Sequence, residues 1–212
     1  MEGQKVILYI HGMGGGADSR IPSILSECMP EGLRIVVRTY DFDPDKALEQ
    51  IASWIDELHP VVLAGESLGA NHALVMRSRY GLPAVLVSPA LNAPAALRRL
   101  APLTLLPGVS ALLDRIYRPR PGERQALHFG YGVLRKWRPV RPDLAAAAGV
   151  PVSAFFGTRD HYRRIGIVSL RGWKRRFGAG TCQLYEGSHF MEEQYVRTLL
   201  ADRLKGLAEG SC

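Results

Sequence analysis

The chain has 212 residues, 47% of them hydrophobic and 22% charged. That is the composition of one globular domain with a two-sided core, and it excludes a disordered or collagen-like chain. The net charge of +7 is local, because residues 91–141 hold ten Lys or Arg against only Asp114 and Glu123, which leaves the remainder close to neutral.

Residues 5–10 form a short, apolar, β-branched run and read as the first strand. No apolar run approaches the ~20 residues of a membrane span, and the start lacks the basic, apolar and small-residue succession of a secretory signal. No membrane span and a cytoplasmic location are therefore expected. Directly after the strand comes His11-Gly12-Met13-Gly14-Gly15-Gly16. A glycine-rich loop there can aim backbone N–H groups at a developing oxyanion. It lacks the Lys-Ser/Thr and the Gly-x-Gly-x-x-Gly spacing of phosphate cradles. His11 precedes the glycines, so a structural place at the core-facing end of the strand is expected for it.

Residues 18–29 follow with helical spacing of Ile21, Ile24, Leu25 and Met29, then a second strand over 33–39. Residues 44–58 carry Leu48, Ile51, Ile55 and Leu58 on one face of a helix, with Asp43 as N-cap. The third strand, 60–64, runs into Gly65-Glu66-Ser67-Leu68-Gly69, and a helical pattern covers 68–80. With 22 glycines in the chain, Gly-x-Ser-x-Gly is weak as a bare pattern. Its position between a strand and a helix is what makes it a nucleophile turn, where the flanking glycines relieve crowding and the serine is forced outward.

A fourth strand is predicted over 84–87. The segment 91–141 after it is long, rich in Pro and Arg and only patchily periodic, with helical stretches at 109–117 and 130–137 and a short helix from Pro142 to Ala148 beyond it. Such a segment reads as a lid-like insertion. Its apolar residues Leu103, Leu105, Leu106, Leu112, Ile116 and Trp137 either line an acyl pocket or pack the insertion down. Its arginines favour anionic substrates or an anionic surface.

The fifth strand, 150–156, ends at Gly157-Thr158-Arg159-Asp160, ahead of a helix over 161–177. Asp160 suits either an N-cap or an acid that orients a base. The sixth strand, 181–185, ends at Gly187-Ser188-His189, followed by a helix over 189–207. Cys28, Cys182 and Cys212 fit no metal or disulfide pattern, and Cys182 is expected as a small core residue. Alternation of strands and helices predicts an α/β fold with a six-stranded parallel sheet and helices on both faces, in a single domain over residues 1–212. The chemical residues each lie just past a strand end, hence at one edge of that sheet. Their order is Ser, Asp, His, as this nucleophile-turn arrangement has it. Glu186 is too near His189 in sequence to reach its imidazole, and Asp41 follows a strand on the far side of the first.

These residues resemble the α/β-hydrolase superfamily, and within it the compact bacterial esterase-like members, over 5–88 and 150–207. The resemblance implies Ser67 as nucleophile, His189 as base and Asp160 as acid, with the backbone N–H groups of Met13 and Leu68 as the oxyanion hole. It also implies that the chain begins at the family's third strand. The expected function is cleavage of a small-molecule carboxylic ester or thioester through an acyl-enzyme, with no cofactor and no metal. The alternatives are a non-catalytic binding protein of this fold, or a binder of anionic surfaces or nucleic acid through 91–141. Aromatics in that segment are sparse and no nucleic-acid motif is present, so no nucleic acid is expected. Nothing in the sequence sets the oligomeric state or the acyl group.

Overall fold

The computed structural model describes residues 4–139 and 147–210. Six strands form one parallel sheet: β1 (Lys5–Ile10), β2 (Leu33–Val37), β3 (Val62–Glu66), β4 (Ala84–Val87), β5 (Val152–Gly157) and β6 (Cys182–Tyr185), in the order β2-β1-β3-β4-β5-β6. All neighbouring pairs are parallel, as predicted.

The central strands lack polar alternation because both of their faces are covered. Side chains point alternately to the two sides of a strand. Leu8 and Ile10 of β1 thus join Ile51, Leu74 and Trp173 on one face. Those come from helices α2 (Pro44–Leu58), α3 (Gly69–Tyr80) and, further along the chain, α8 (Leu170–Phe177). Ile7 and Tyr9 point the other way and pack with Leu25 and Leu204. These belong to α1 (Arg20–Cys28) and α10 (Ala201–Glu209). Asp43 caps α2 as expected, accepting from the Asp45 N–H at 3.1 Å.

The chain goes outward from β1 to β2 and then returns to place β3 on the other side of β1. The winding reverses between β1 and β3, and ligands of open α/β sheets bind at such a switch, outside the carboxyl ends of the strands. The glycine loop and Ser67 meet there.

Residues 91–139 form α4 (Ala93–Leu100), a 3₁₀ turn (Ala101–Leu105), α5 (Val109–Ile116) and α6 (Tyr131–Leu134). They build a third apolar cluster, in which Ala101, Leu127, Phe129, Leu134 and Trp137 surround Phe42 and Leu68. The insertion therefore packs directly on the residue after Ser67. Trp137 is buried in this cluster, whereas Leu103, Leu105, Leu106, Leu112 and Ile116 are exposed. Of the predicted helix from Pro142 to Ala148, residues 142–146 lie outside the described residues.

Several boundaries differ from the sequence reading. The helix expected over 161–177 is two pieces, α7 (His161–Arg164) and α8, because Gly166 turns the chain at φ +76°. The helix expected from 189 begins only at α9 (Glu193–Tyr195) and reaches α10 through a π-helical stretch, Val196–Leu200. Helix α4 was not foreseen; it is short, and Pro94 is its only buried residue. Cys182 is partly buried against the first cluster rather than enclosed. Among the described residues, no helix is long and apolar enough to cross a membrane.

Candidate active site

Ser67 sits at the end of β3 with φ +51°, in the left-handed region that non-glycine residues rarely enter. The turn is held by its surroundings. The Ser67 N–H donates to Val87 O at 2.9 Å, and Ser67 O accepts from the Ala90 N–H at 3.0 Å. Buried Asn71 donates from Nδ2 to Ala90 O at 3.0 Å and to Leu68 O at 3.3 Å, tying the turn to the end of β4. Gly69 must be glycine for a different reason than backbone freedom. A Cβ there would lie 2.1 Å from His11 O and 2.4 Å from Ile10 O, so only glycine lets α3 start so close to the end of β1.

Ser67, His189 and Asp160, far apart in the chain, converge in one line of hydrogen bonds. His189 Nδ1 is 2.9 Å from Asp160 Oδ2, and His189 Nε2 is 2.9 Å from Ser67 Oγ. A carboxylate only accepts, so Nδ1 of the neutral ring carries the proton and Nε2 accepts from the Ser67 hydroxyl. The second oxygen of Asp160 accepts from the Tyr162 N–H at 2.8 Å. The cap and the orienting acid, alternatives in the sequence, are thus both served by one side chain, one oxygen each. Asp160 and His189 are buried. Tyr162 and Phe190 flank the imidazole edge-on, with ring centroids 4.5 and 5.2 Å away.

The loop after β1 lies against Ser67, and a Cβ on Gly12 would come within 3.2 Å of the serine Cβ. The N–H groups of Met13 and Leu68 carry no hydrogen bond among the described residues. Both amides flank the serine in sequence or space and are free to donate. Among the described residues, neither of the two rejected acids bonds the His189 imidazole, whose ring nitrogens are taken by Asp160 and Ser67. Asp41 accepts from Lys46 and from the Asp43 N–H, and Glu186 is exposed at the outer end of β6.

Four features escaped sequence reasoning. Gln125, buried in the insertion, grips the glycine loop. Its Oε1 accepts from the Gly14 N–H at 3.1 Å, its own N–H donates to Gly15 O at 2.7 Å, and its Nε2 donates to Asp41 O at 3.3 Å. Next to it, Gly16 passes so close to the Glu123 carbonyl that an added Cβ would fall 1.8 Å from it. Glu66 accepts from Tyr9 Oη at 3.0 Å beside Ser67, and burial raises its carboxyl pKa. Asn71 alone left a trace in the sequence, as a polar side chain on the core face of a helix.

His11 is structural, as expected. It stacks on Tyr40 at 4.2 Å, and Tyr40 Oη donates to His11 O at 2.6 Å. Burial lowers the pKa of both His11 and His72 to about 4. A histidine lowered in the fold is neutral there but protonates in the unfolded chain, so its stabilisation is full above the ordinary value of 6.5 and is lost as pH falls towards 4. Each can remove up to about 3 kcal/mol. The raised Glu66 acts in the opposite sense, so the histidine contribution has to be isolated. The urea midpoint is expected to fall between pH 6.5 and 5, above most carboxylate titrations, and His72→Gln is expected to flatten that slope. An unchanged slope in the variant would remove His72 from the account.

Residues 6–99 match an uncharacterised protein family, UPF0227. No curated protein matches the chain. Among solved structures, Est1E from Butyrivibrio proteoclasticus is 16% identical with a TM-score of 0.65, covering 99% of this chain and 90% of that one. A thermophilic esterase from Thermogutta terrifontis is 12% identical with a TM-score of 0.63, covering 99% and 91%. FphF, a fluorophosphonate-binding serine hydrolase from Staphylococcus aureus, is 14% identical with a TM-score of 0.57, covering 98% and 85%. At these identities the likeness is one of fold, and the fold is that of the α/β-hydrolases.

Proposed function

We propose that this chain, which has the α/β-hydrolase fold, is a serine hydrolase that cleaves a small-molecule carboxylic ester or thioester. The observation that carries this reading is the continuous hydrogen-bonded line from Ser67 Oγ through His189 to Asp160, each distance 2.9 Å. A serine hydroxyl is a poor nucleophile at neutral pH and needs a base positioned on it. In this mechanism His189 Nε2 takes the hydroxyl proton as Oγ attacks the acyl carbonyl. The Met13 and Leu68 amides donate to the resulting oxyanion, each worth about 3 kcal/mol. As the carbonyl re-forms, the bond to the leaving group breaks, and His189 gives that group its proton. Water then attacks the acyl-serine, losing a proton to His189; as this second intermediate collapses, the bond from the acyl carbon to Ser67 Oγ breaks, His189 returns the proton to Oγ, and the acid product leaves. Asp160 holds the imidazole in the right tautomer throughout. The steps need neither a metal nor an organic cofactor.

The test is covalent labelling by a fluorophosphonate, with the modified peptide identified by mass spectrometry, alongside hydrolysis of matched ester and thioester series. A single label on the peptide containing Ser67 supports the reading. No label, or a label elsewhere, overturns it. The ester and thioester series decides which acyl bond is the better substrate.

Gln125 gives a second expectation. It fixes the loop that carries the Met13 amide without facing the substrate itself. Gln125→Ala is expected to lower kcat by about tenfold with little change in KM, because a misplaced donor weakens transition-state stabilisation more than ground-state binding. Loss of two partly buried hydrogen bonds is expected to cost about 1–3 kcal/mol of stability as well. Steady-state kinetics and a urea titration on the same preparation separate the two effects, and an unchanged kcat would release Gln125 from this role.

A further inference from the structure

The insertion leaves one part of its surface unexplained. Leu103, Leu105, Leu106, Leu112 and Ile116 are each more than half exposed, all within the short stretch 103–116. Soluble surfaces carry scattered apolar residues as a matter of course, but a contiguous group of this kind marks a place of contact.

This stretch is not a loose loop. Leu97, Leu100 and Leu113 pack into the third apolar cluster. Asp114 accepts from the Phe129 N–H at 2.7 Å, and Thr104 Oγ1 donates to Ala101 O at 2.7 Å. Helix α5 is therefore docked by the side that bears Leu113. Leu112 and Ile116, four residues apart, are neighbours on the helix surface, and both are exposed. The exposed leucines of the 3₁₀ turn lead directly into that helix.

The charge around the group is mostly of one sign. Arg98 and Arg99 precede it, and Arg115, Arg118 and Arg120 flank or follow it, all of them exposed. None of the five forms a salt bridge among the described residues. The only acid between positions 91 and 122 is Asp114, and its carboxylate is taken by the Phe129 N–H.

We propose that residues 101–116 dock this protein on an anionic phospholipid bilayer, with the exposed leucines and Ile116 entering the boundary between headgroups and acyl chains and the arginines meeting the lipid phosphates. Aliphatic side chains rimmed by basic ones are the composition that binds such an interface. The centre of a protein–protein interface favours aromatic anchors and paired hydrogen bonds. Here the five central side chains are all aliphatic and offer neither. The insertion leaves from the end of β4, at the sheet edge that bears Ser67, and its core packs on Leu68. Docking through its tip brings the mouth of the site towards the lipid. Binding itself does not depend on the proposed chemistry.

The experiment is vesicle flotation of the full chain with phosphatidylcholine vesicles and with mixed phosphatidylglycerol–phosphatidylcholine vesicles. Partition onto the mixed vesicles is expected to be at least about tenfold stronger. It is expected to weaken with salt as the Debye length shrinks from about 10 Å at 0.1 M to about 3 Å at 1 M. The double variant Leu105→Asp, Leu106→Asp is expected to lose most of that binding while keeping its thermal midpoint and its rate on a water-soluble short-chain ester. The pair Arg98→Glu, Arg99→Glu, which leaves the leucines in place, is expected to lose the preference for the anionic vesicles. Ser67→Ala is expected to bind like the wild type, so failure of the hydrolase reading and failure of docking are seen separately. Wild-type protein that stays off the mixed vesicles overturns the proposal, as does equal binding by both surface variants. A dimer in gel filtration that the leucine variant disperses also overturns it, because a second copy then covers the patch.

Discussion

Ser67→Ala is expected to abolish fluorophosphonate labelling and to lower kcat by about five to six orders of magnitude, the loss that follows removal of a nucleophile that works as a unit with its base. The substitution deletes one oxygen and leaves the turn intact, since the backbone bonds to Val87 and Ala90 do not involve the side chain. The strain at φ +51° persists in alanine and is relieved only by glycine. Ser67→Gly is therefore expected to be equally inactive but more stable than Ser67→Ala by about 1 kcal/mol, read from urea midpoints. That ordering separates a serine held in a costly geometry for chemistry from one that is merely exposed at a loop. Residual labelling of Ser67→Ala at the wild-type rate would place the nucleophile elsewhere, and equal stability of the two variants would remove the strain argument.

How much of this was legible in the sequence depended on how local each determinant is. The strands β1, β3 and β4 were clear because burial on both faces demands an uninterrupted apolar run, and Lys5–Ile10 and Ala84–Val87 stand where the pattern put them. The turn at Ser67 was legible because two glycines, a strand and a helix all fall within one short window. Asp160 and His189 were legible only as members of a set, each at a strand end. The misses have a common cause. Gly166 breaks the helix after Asp160 through one backbone angle, which apolar spacing does not register. Gln125 reaches the glycine loop across 111 positions of sequence, so no local pattern announces it. The exposed leucines of the insertion read as pocket or packing residues, because hydropathy identifies an apolar side chain but not the side of the fold on which it ends.

Asp160 and His189 give the other large expectation, and the double role of Asp160 makes it specific. In the proposed mechanism His189 takes the serine proton, so His189→Ala is expected to lower kcat by about five to six orders of magnitude. Asp160→Asn is subtler. The amide keeps an oxygen for the Tyr162 N–H, so the cap that the carboxylate now provides at 2.8 Å is expected to survive. Its NH₂ group then faces His189 Nδ1, where the carboxylate accepted a hydrogen bond at 2.9 Å. A donor there forces Nδ1 to accept and moves the ring proton to Nε2, which then confronts Ser67 as a donor rather than a base. The expected loss in kcat is about 10⁴-fold with near wild-type stability. Asp160→Ala removes cap and acid together and is expected to be about 1 kcal/mol less stable than Asp160→Asn. Single-turnover rates and urea midpoints across the three variants read both roles. An Asp160→Asn enzyme with near wild-type kcat would show that another acid orients the base, and Glu186 and Asp41 would be the substitutions to make next. An Asp160→Ala variant as stable as Asp160→Asn would mean that the bond to Tyr162 holds nothing in place.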